Sequence, residues 1–379
     1  MPGLAFRMFF GDQAATQDEL AHVEEAVVEQ ATDMAWEARI RMIMCLDDNG
    51  HWQHPPQEFA QPFSRVRLEL RVTDSFVPLI DGPVASYDTA LDSQPGRSAV
   101  TLVVRDDSVL LNREEAFELF EDKTDHAVAR EVFQNFTQIA ETRITATSGP
   151  ERVAVRRGTA MQFLRELAAA HEFHAYVLPG DRAGQSIGCF QPDPTSPGTL
   201  PPLVLVGADR NLAEVEVRED SEGPERSQAR TLRIVDQQIV SAETHPQDLV
   251  LMRPLPPIPD DLTALRLLPP ESNDREDPES RTRARARRAA YAYHVSGRLV
   301  PGCYGAVLSP YQRVVVKTGN LPVSGEWLLT KVRHHITPHL YTQEFEAKAD
   351  SKHDTSANAA AAPGGTGLSV NFSASLSVF

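Results

Sequence analysis

Arg313-Val-Val-Val-Lys-Thr-Gly-Asn-Leu-Pro-Val-Ser-Gly-Glu-Trp-Leu-Leu-Thr-Lys-Val-Arg-His-His-Ile-Thr-Pro-His-Leu-Tyr-Thr-Gln-Glu-Phe-Glu-Ala-Lys348 is the stretch on which the fold turns. Near its end Tyr341, Gln343, Phe345 and Ala347 alternate with Thr342, Glu344, Glu346 and Lys348. Upstream, Leu328, Thr330, Val332, His334 and Ile336 fall on one side of a second extended run. Successive side chains of a strand point to opposite faces, so strict period-two patterning predicts half-buried strands. Gly319-Asn320 and Val323-Ser324-Gly325 supply turns between Val314–Val316 and Trp327. The segment reads as an antiparallel meander able to close a barrel. It offers no nucleophile, acid/base pair or metal cluster, and its role is structural.

Working outward, 379 residues allow two or three domains, each with its own core. The 41% hydrophobic and 24% charged content is that of an ordinary globular chain. A formal net charge of -16 argues against nucleic-acid binding, which needs a basic face. Cys45, Cys189 and Cys303 lie far apart and form no CxxC pair, which fits free thiols and neither a disulfide framework nor a zinc site. The apolar start ends at Gly11-Asp12 without a small-residue cleavage site, so no signal peptide is expected. No apolar run approaches the roughly 18 residues of a membrane span.

Residues 1–115 read as β-rich. Leu4–Phe9 is a first strand, and Asp18–Val23 a short helical turn. Trp36, Ala38, Ile40, Met42 and Met44 form one alternating face; Val66, Leu68 and Leu70 form another, opposite Arg65, Arg67, Glu69 and Arg71. Ala99–Arg105 closes the set. Residues 116–180 form a helix-bearing α/β segment. Asp125 is placed to cap a helix carrying Val128, Ala129, Val132, Phe133 and Phe136. After a strand around Val153–Val155, Thr159 and Gln162 match a capping box before a helix with Phe163, Leu164, Leu167 and Ala168 on one face. A strand follows at His174–Leu178, and the Gly- and Pro-rich residues 180–202 read as loop. Residues 203–348 return to strands, including Ala213–Arg218 and Thr231–Val235. Seven prolines between Pro254 and Pro278 mark an extended insertion, residues 251–280, before a helix at Arg281–Tyr293. Residues 349–367 read as a flexible linker, because Ser351–Gly367 is low in complexity.

Few motifs suggest chemistry. His171-Glu172-Phe173-His174 has histidines three apart, whereas a zinc helix needs them one turn apart, and His174 falls in strand-like sequence. His334 and His335 are strand neighbours and point to opposite faces. Five arginines between Arg281 and Arg288 are the one basic cluster; beside Glu279 they read as a solvated helix face in preference to a phosphate or nucleic-acid contact. No pattern asks for a metal or a cofactor.

Thr101–Glu115 followed by Asp122–Arg130 resembles the middle of phage tail hub proteins of the late-control D type. Val155–Leu167 resembles that family's next helix, and Gly297–Gly302 with Ser324–Lys348 its closing strands. The resemblance extends to the amino-terminal part of type VI secretion VgrG spikes. It covers roughly residues 4–348 through the order and spacing of several segments. It implies a mainly β fold with minor α: two tube-protein-like β-barrel domains, 1–115 and 203–348, with the α/β segment between them. It further implies a structural, non-enzymatic homotrimer that joins a hexameric inner tube to a separate trimeric spike. Its other implied partners are a tube-initiator protein and baseplate wedge proteins. Assembly in the cytoplasm and incorporation into the baseplate of a phage-tail-like particle follow from that role. A particle-borne cell-wall hydrolase is the alternative class, and it needs convergent titratable groups in a cleft. A freestanding binding module is a third.

At the end of the chain Leu368, Val370, Phe372, Ala374, Leu376 and Val378 alternate with Ser369, Asn371, Ser373, Ser375 and Ser377. Residues 368–379 therefore read as an apolar strand that adds to a sheet edge. Leu368, Val370, Phe372, Leu376 and Val378 are the candidate partner-binding residues, on a neighbour or on the chain's own subunit.

Overall fold

The computed structural model describes residues 5–53, 61–71, 75–94, 96–149, 151–195, 198–233, 237–249, 259, 262–269, 278–319 and 323–350. The first region contains β1 (Ala5–Phe10), β2 (Gln13–Ala14), α1 (Gln17–Ala21), β3 (Val23–Ala31), β4 (Glu37–Ile43), β5 (Cys45–Leu46), β6 (Trp52–Gln53), β7 (Arg65–Arg71), β8 (Phe76–Ala90) and β9 (Ala99–Arg105). An α/β unit follows: α2 (Ser108–Leu111), β10 (Glu115–Lys123), α3 (Asp125–Gln134), β11 (Ile139–Ile144), β12 (Arg152–Thr159), α4 (Ala160–Ala170), β13 (Phe173–Pro179) and β14 (Ser186–Pro192). The last region holds β15 (Leu203–Val204), β16 (Leu212–Glu219), β17 (Glu225–Arg233), β18 (Gln238–Thr244), β19 (Ala264–Leu267), α5 (Pro278–Ala289), β20 (Tyr293–Leu299), β21 (Arg313–Lys317), β22 (Gly325–Ile336) and β23 (Tyr341–Ala349). The chain is mainly β with minor α, as its patterning predicts.

One large sheet dominates, running β16-β20-β23-β22-β3-β4-β9-β8-β7-β1-β2, with β21 on β22 and β15 on β21. The β21-β22-β23 meander forms as expected. Its central strand also pairs antiparallel with β3, from Lys331↔Ala31 to Ile336↔Ala26, so the first and last regions share a backbone ladder. One edge of β22 serves two partners. Gly325–Leu328 pairs with β21, Lys331–Ile336 pairs with β3, and a bulge against β23 lies between Leu329 and Lys331. The extra residue shifts the alternation. Trp327 and Leu329 are buried before the bulge, and Val332, His334 and Ile336 after it, while Thr330 is only half-buried. The single face expected from Leu328 through Ile336 therefore changes phase at Thr330.

Three apolar cores follow the regions. Met8, Ile40, Leu68 and Leu102 belong to the first, which Ile336 joins across the shared ladder. Val128, Val132, Phe133, Phe163, Leu164 and Leu167 build the second, between α3 and α4. Leu212, Val314, Trp327, Val332 and Phe345 build the third. Each such side chain contributes roughly 1.5–3 kcal/mol by leaving water.

Local signals are partly rerouted by these contacts. Thr159 caps α4 by accepting from the Gln162 N–H at 3.3 Å, but the Gln162 amide donates to Glu166 and leaves the capping box half made. A full box does form at α1, between Thr16 and Glu19. Asp125 is the first helical residue of α3, and Thr124 takes the cap position expected for it, because the Asp125 carboxylate is held by Arg152. The expected 180–202 loop contains β14, which pairs antiparallel with β13 and parallel with β11. Its Ile187–Phe190 run is short, apolar and fully sheeted, a pattern that periodicity does not separate from other buried segments. The helix expected at Arg281–Tyr293 runs from Pro278 to Ala289, with proline in its first turn, where the missing N–H costs nothing. It backs a separate sheet of order β18-β17-β19. Most of the proline-rich 251–280 stretch lies outside the described residues.

Candidate assembly site: a three-way junction

His174, near the start of β13, is 6% exposed and bonded on both ring nitrogens. Nδ1 lies 2.9 Å from Asp33 Oδ1 and Nε2 3.0 Å from Asp193 Oδ1. Asp33 follows β3 in a left-handed conformation, φ 59°, and its N–H donates to the Tyr311 hydroxyl at 2.8 Å. The Tyr311 ring stacks on Tyr176 at 3.7 Å and meets His174 edge-on. Asp193 also accepts from the Tyr291 hydroxyl at 2.8 Å, and the Lys348 ammonium sits 4.0 Å from the centre of the Tyr291 ring. One imidazole thus joins the first region, the α/β unit and the last region.

The electrostatics make this a lock. Burial alone would lower the His174 pKa; hydrogen bonds to Asp193 and Asp33 outweigh it and push the pKa up to about 9. Burial likewise opposes ionisation of Asp193, yet the His174 bond and the Lys348 charge hold it down to about 2. Burial lowers Lys348. With a carboxylate on each nitrogen, the imidazolium has no lone pair to offer a substrate. An adjoining cavity of about 340 Å³ is lined by Glu172, Arg287, Arg288, Tyr291 and Lys348 among others. Arg287 pairs with Glu172 at 3.3 Å, and Arg288 donates to the Phe173 carbonyl at 3.1 Å, so two of the five arginines tie α5 to the α/β unit. Arg285 pairs with Glu225 at 2.7 Å. The helix face read as solvated is therefore partly structural.

His171 is not brought to the same partners. Its Nε2 lies 2.6 Å from Asp125 Oδ2, a carboxylate that also accepts two bonds from Arg152. His334 and His335 do point to opposite faces: His334 is buried, and His335 pairs near the surface with Glu25. Cys189 is buried, which pushes its thiol up to about 12 and leaves it protonated. Among the described residues, no cluster of three or more His, Cys, Asp or Glu is placed to hold a metal. No helix among them is long and apolar enough to cross a membrane. Leu368, Val370, Phe372, Leu376 and Val378 lie outside the described residues.

A second junction carries no local signal in the sequence. Arg67 belongs to the polar alternation of β7, yet it is 2% exposed. Its guanidinium meets Glu69 at 2.6 Å and Asp81 at 2.9 Å, and donates to the Gly180 carbonyl at 2.7 Å. Arg65 bridges Asp81 and Asp107 at 2.7 Å each, and Ser186 donates to Asp107 at 2.8 Å. The turn between β13 and β14 covers this network, so charges that alternate like a wet face are dry. Elsewhere on the large sheet a groove of about 620 Å³ carries Glu29, Glu214, Glu216, Glu344 and Glu346 against Arg298, Lys331 and Arg333.

No family model matches the chain, and no curated protein does either. Solved structures match over nearly its whole length. A tail protein from Neisseria meningitidis MC58 superposes with TM-score 0.62 at 13% identity, covering 92% of this chain and 97% of that one. The chain has a phage tail-protein fold. A 43 kDa tail protein of prophage MuSo2 from Shewanella oneidensis gives TM-score 0.59 at 12% identity, covering 90% and 97%. An E. coli component of the type VI secretion system gives 0.57 at 12%, covering 87% of this chain and 74% of that one. The tail-protein fold thus takes in the large sheet and the α/β unit together.

Proposed function

We propose that this chain is the structural hub of a baseplate, in a contractile phage tail or a contractile injection system. It acts as a homotrimer that joins a hexameric inner tube to a separate trimeric spike. The observation that carries the reading is the extent of the fold match, 92% of this chain and 97% of a tail protein. A subunit with two tube-like β domains, 1–115 and 203–348, lets three copies present six modules to a sixfold tube. The β3–β22 ladder supports such a role, since it makes the two regions one body under load. The acidic excess of the sheet groove, five carboxylates to three cations, suits a passage that does not hold nucleic acid.

The role needs no catalysis, and the doubly bonded His174 supports a non-enzymatic reading over a hydrolase. Besides itself, the partners are the spike, the tube or a tube initiator, and the wedges. Assembly takes place in the cytoplasm before incorporation into the particle. The tail 368–379 adds as a strand to one of these neighbours, through Leu368, Val370, Phe372, Leu376 and Val378. The deciding experiment is electron cryomicroscopy of particles with this chain tagged. Threefold density between tube and spike is expected, and particles lacking the chain, or carrying it elsewhere, overturn the reading. Deleting Leu368–Phe379 leaves a soluble trimer whose attachment to its neighbour is weakened. Misfolding of that truncation puts the tail in the chain's own core instead.

A further inference from the structure

Two of the four small sheets outside the large one each present an exposed apolar face among the described residues. In the β10–β12 ribbon, Phe120 and Ala154 turn inward, with the Phe120 ring stacked on Phe163 of α4. The other face carries Phe117, 71% exposed, with Leu119, Val153 and Val155. In the β18-β17-β19 sheet, Ser227, Ala229 and Thr231 turn inward, and Thr244 bonds to Thr282 of α5. Its other face carries Ile239, 73% exposed, with Leu232, Leu265 and Leu267. Apolar side chains this exposed, gathered on one face of a sheet, mark interaction sites, although Arg230 and Ser241 separate the two leucine-bearing ends of the second face.

The placement of the faces says what covers them. Each sheet has its helix behind it, and α4 and α5 touch, tied by the Arg287–Glu172 pair. The two faces therefore lie on the outer sides of that helix pair, and a single chain does not close one on the other. Their charges are of opposite balance. The ribbon face has Glu115 and Glu121 against Arg157, which lies over Phe117. The three-stranded face has Arg226 and Arg230 against Glu243. A closed ring of odd order needs two unlike, complementary patches on every subunit, whereas a twofold dimer needs one self-complementary patch.

We propose that the β10–β12 face of one subunit binds the β18-β17-β19 face of a second copy, head to tail, and that this contact closes the trimer. The proposal rests on the hub reading. Its test uses two full-length variants, Phe117→Asp/Leu119→Asp and Ile239→Asp/Leu267→Asp, weighed by mass photometry and sedimentation over a concentration series. All four positions are exposed, so circular dichroism and melting curves should match the wild type. Each variant alone should be monomeric, with the concentration for half-assembly raised at least about 30-fold. An equimolar mixture should give one-to-one heterodimers and nothing larger, since one intact face of each kind remains. Variants that stay trimeric, or a mixture that stays monomeric, overturn the head-to-tail contact while leaving the hub reading standing. A wild-type chain that never forms trimers takes down the hub reading itself, and this contact with it.

Discussion

His334 Nε2 lies 3.3 Å from the Gln30 side-chain oxygen, joining residues 304 positions apart at the buried seam where β22 meets β3. The Gln30 amide donates onward to the Leu79 carbonyl at 2.8 Å, and the second ring nitrogen of His334 lies 2.9 Å from the Tyr341 hydroxyl. A polar chain therefore crosses the ladder that holds the first and last regions together. Gln30→Leu should cost roughly 1–3 kcal/mol, because it strands the Leu79 carbonyl and one imidazole nitrogen in an apolar core. Chemical denaturation measures the loss. A variant as stable as the wild type would mean that water reaches this seam.

Stability should peak near neutrality, because two histidines act with opposite sign. Burial holds His334 down to about 3. Between its ordinary value near 6.5 and that figure, the unfolded chain binds a proton that the folded chain refuses. Stability on its account is complete above 6.5 and falls as acid is added. His174 is raised to about 9, so the folded chain keeps a proton that the unfolded chain releases between 6.5 and 9. Its contribution, at most about 3 kcal/mol for a shift of that size, is full below 6.5 and lost as pH rises through 9. Melting temperature against pH should be dome-shaped, and His174→Gln should flatten the alkaline limb alone. An unchanged alkaline limb in that variant would rule out the lock.

What was legible in the sequence was periodicity, and what was hidden was pairing. Ala99–Arg105 and the β23 alternation appear where the period-two pattern puts them, because one face of each meets a core. The β22 phase change at Thr330 depends on which strand lies beside it, and no local residue reports that. Arg65, Arg67 and Glu69 alternate as solvated residues do, yet the 180–185 turn buries them, a contact more than 110 residues away in sequence. The partners of His174 lie 141 and 19 residues away, so its role as a junction is a property of the folded chain alone. The apolar ribbon face was half visible, since Val153 and Val155 stood out as strand, but their exposure did not.

Gly188 and Gly184 should respond differently to alanine. A Cβ at Gly188 would stand 2.6 Å from the Phe133 ring, which is fully buried between helices and strands. Gly188→Ala should therefore push α3 outward and cost about 1–3 kcal/mol. Gly184 has open space around it but a φ of +82°, so Gly184→Ala should cost about 1–2 kcal/mol through backbone strain, with α3 undisturbed. Hydrogen exchange in α3 separates the two, with faster exchange expected for Gly188→Ala only.

The Arg67 network should behave as a clasp whose loss is felt locally first. Its guanidinium satisfies Glu69, Asp81 and the Gly180 carbonyl at once, and it is withdrawn from water together with both carboxylates. Glu69 also contacts Arg7, and Asp81 keeps Arg65 and the Gly184 N–H, so removing Arg67 weakens every member without freeing any to solvent. Breaking a buried pair from one side costs on the order of 3–5 kcal/mol. Arg67→Met should lose that much, and Arg67→Lys should recover only part, since an ammonium does not reproduce the planar fork that reaches two carboxylates and a carbonyl. Arg67 also reaches the Arg182 carbonyl, and the Gly184–Asp81 bond then remains as a tie of the 181–185 turn to the sheet, so trypsin should cut after Arg182 well before global unfolding in both variants. Protection at Arg182 equal to the wild type, alongside a full loss of stability, would show that Arg67 acts on the sheet and not on the turn.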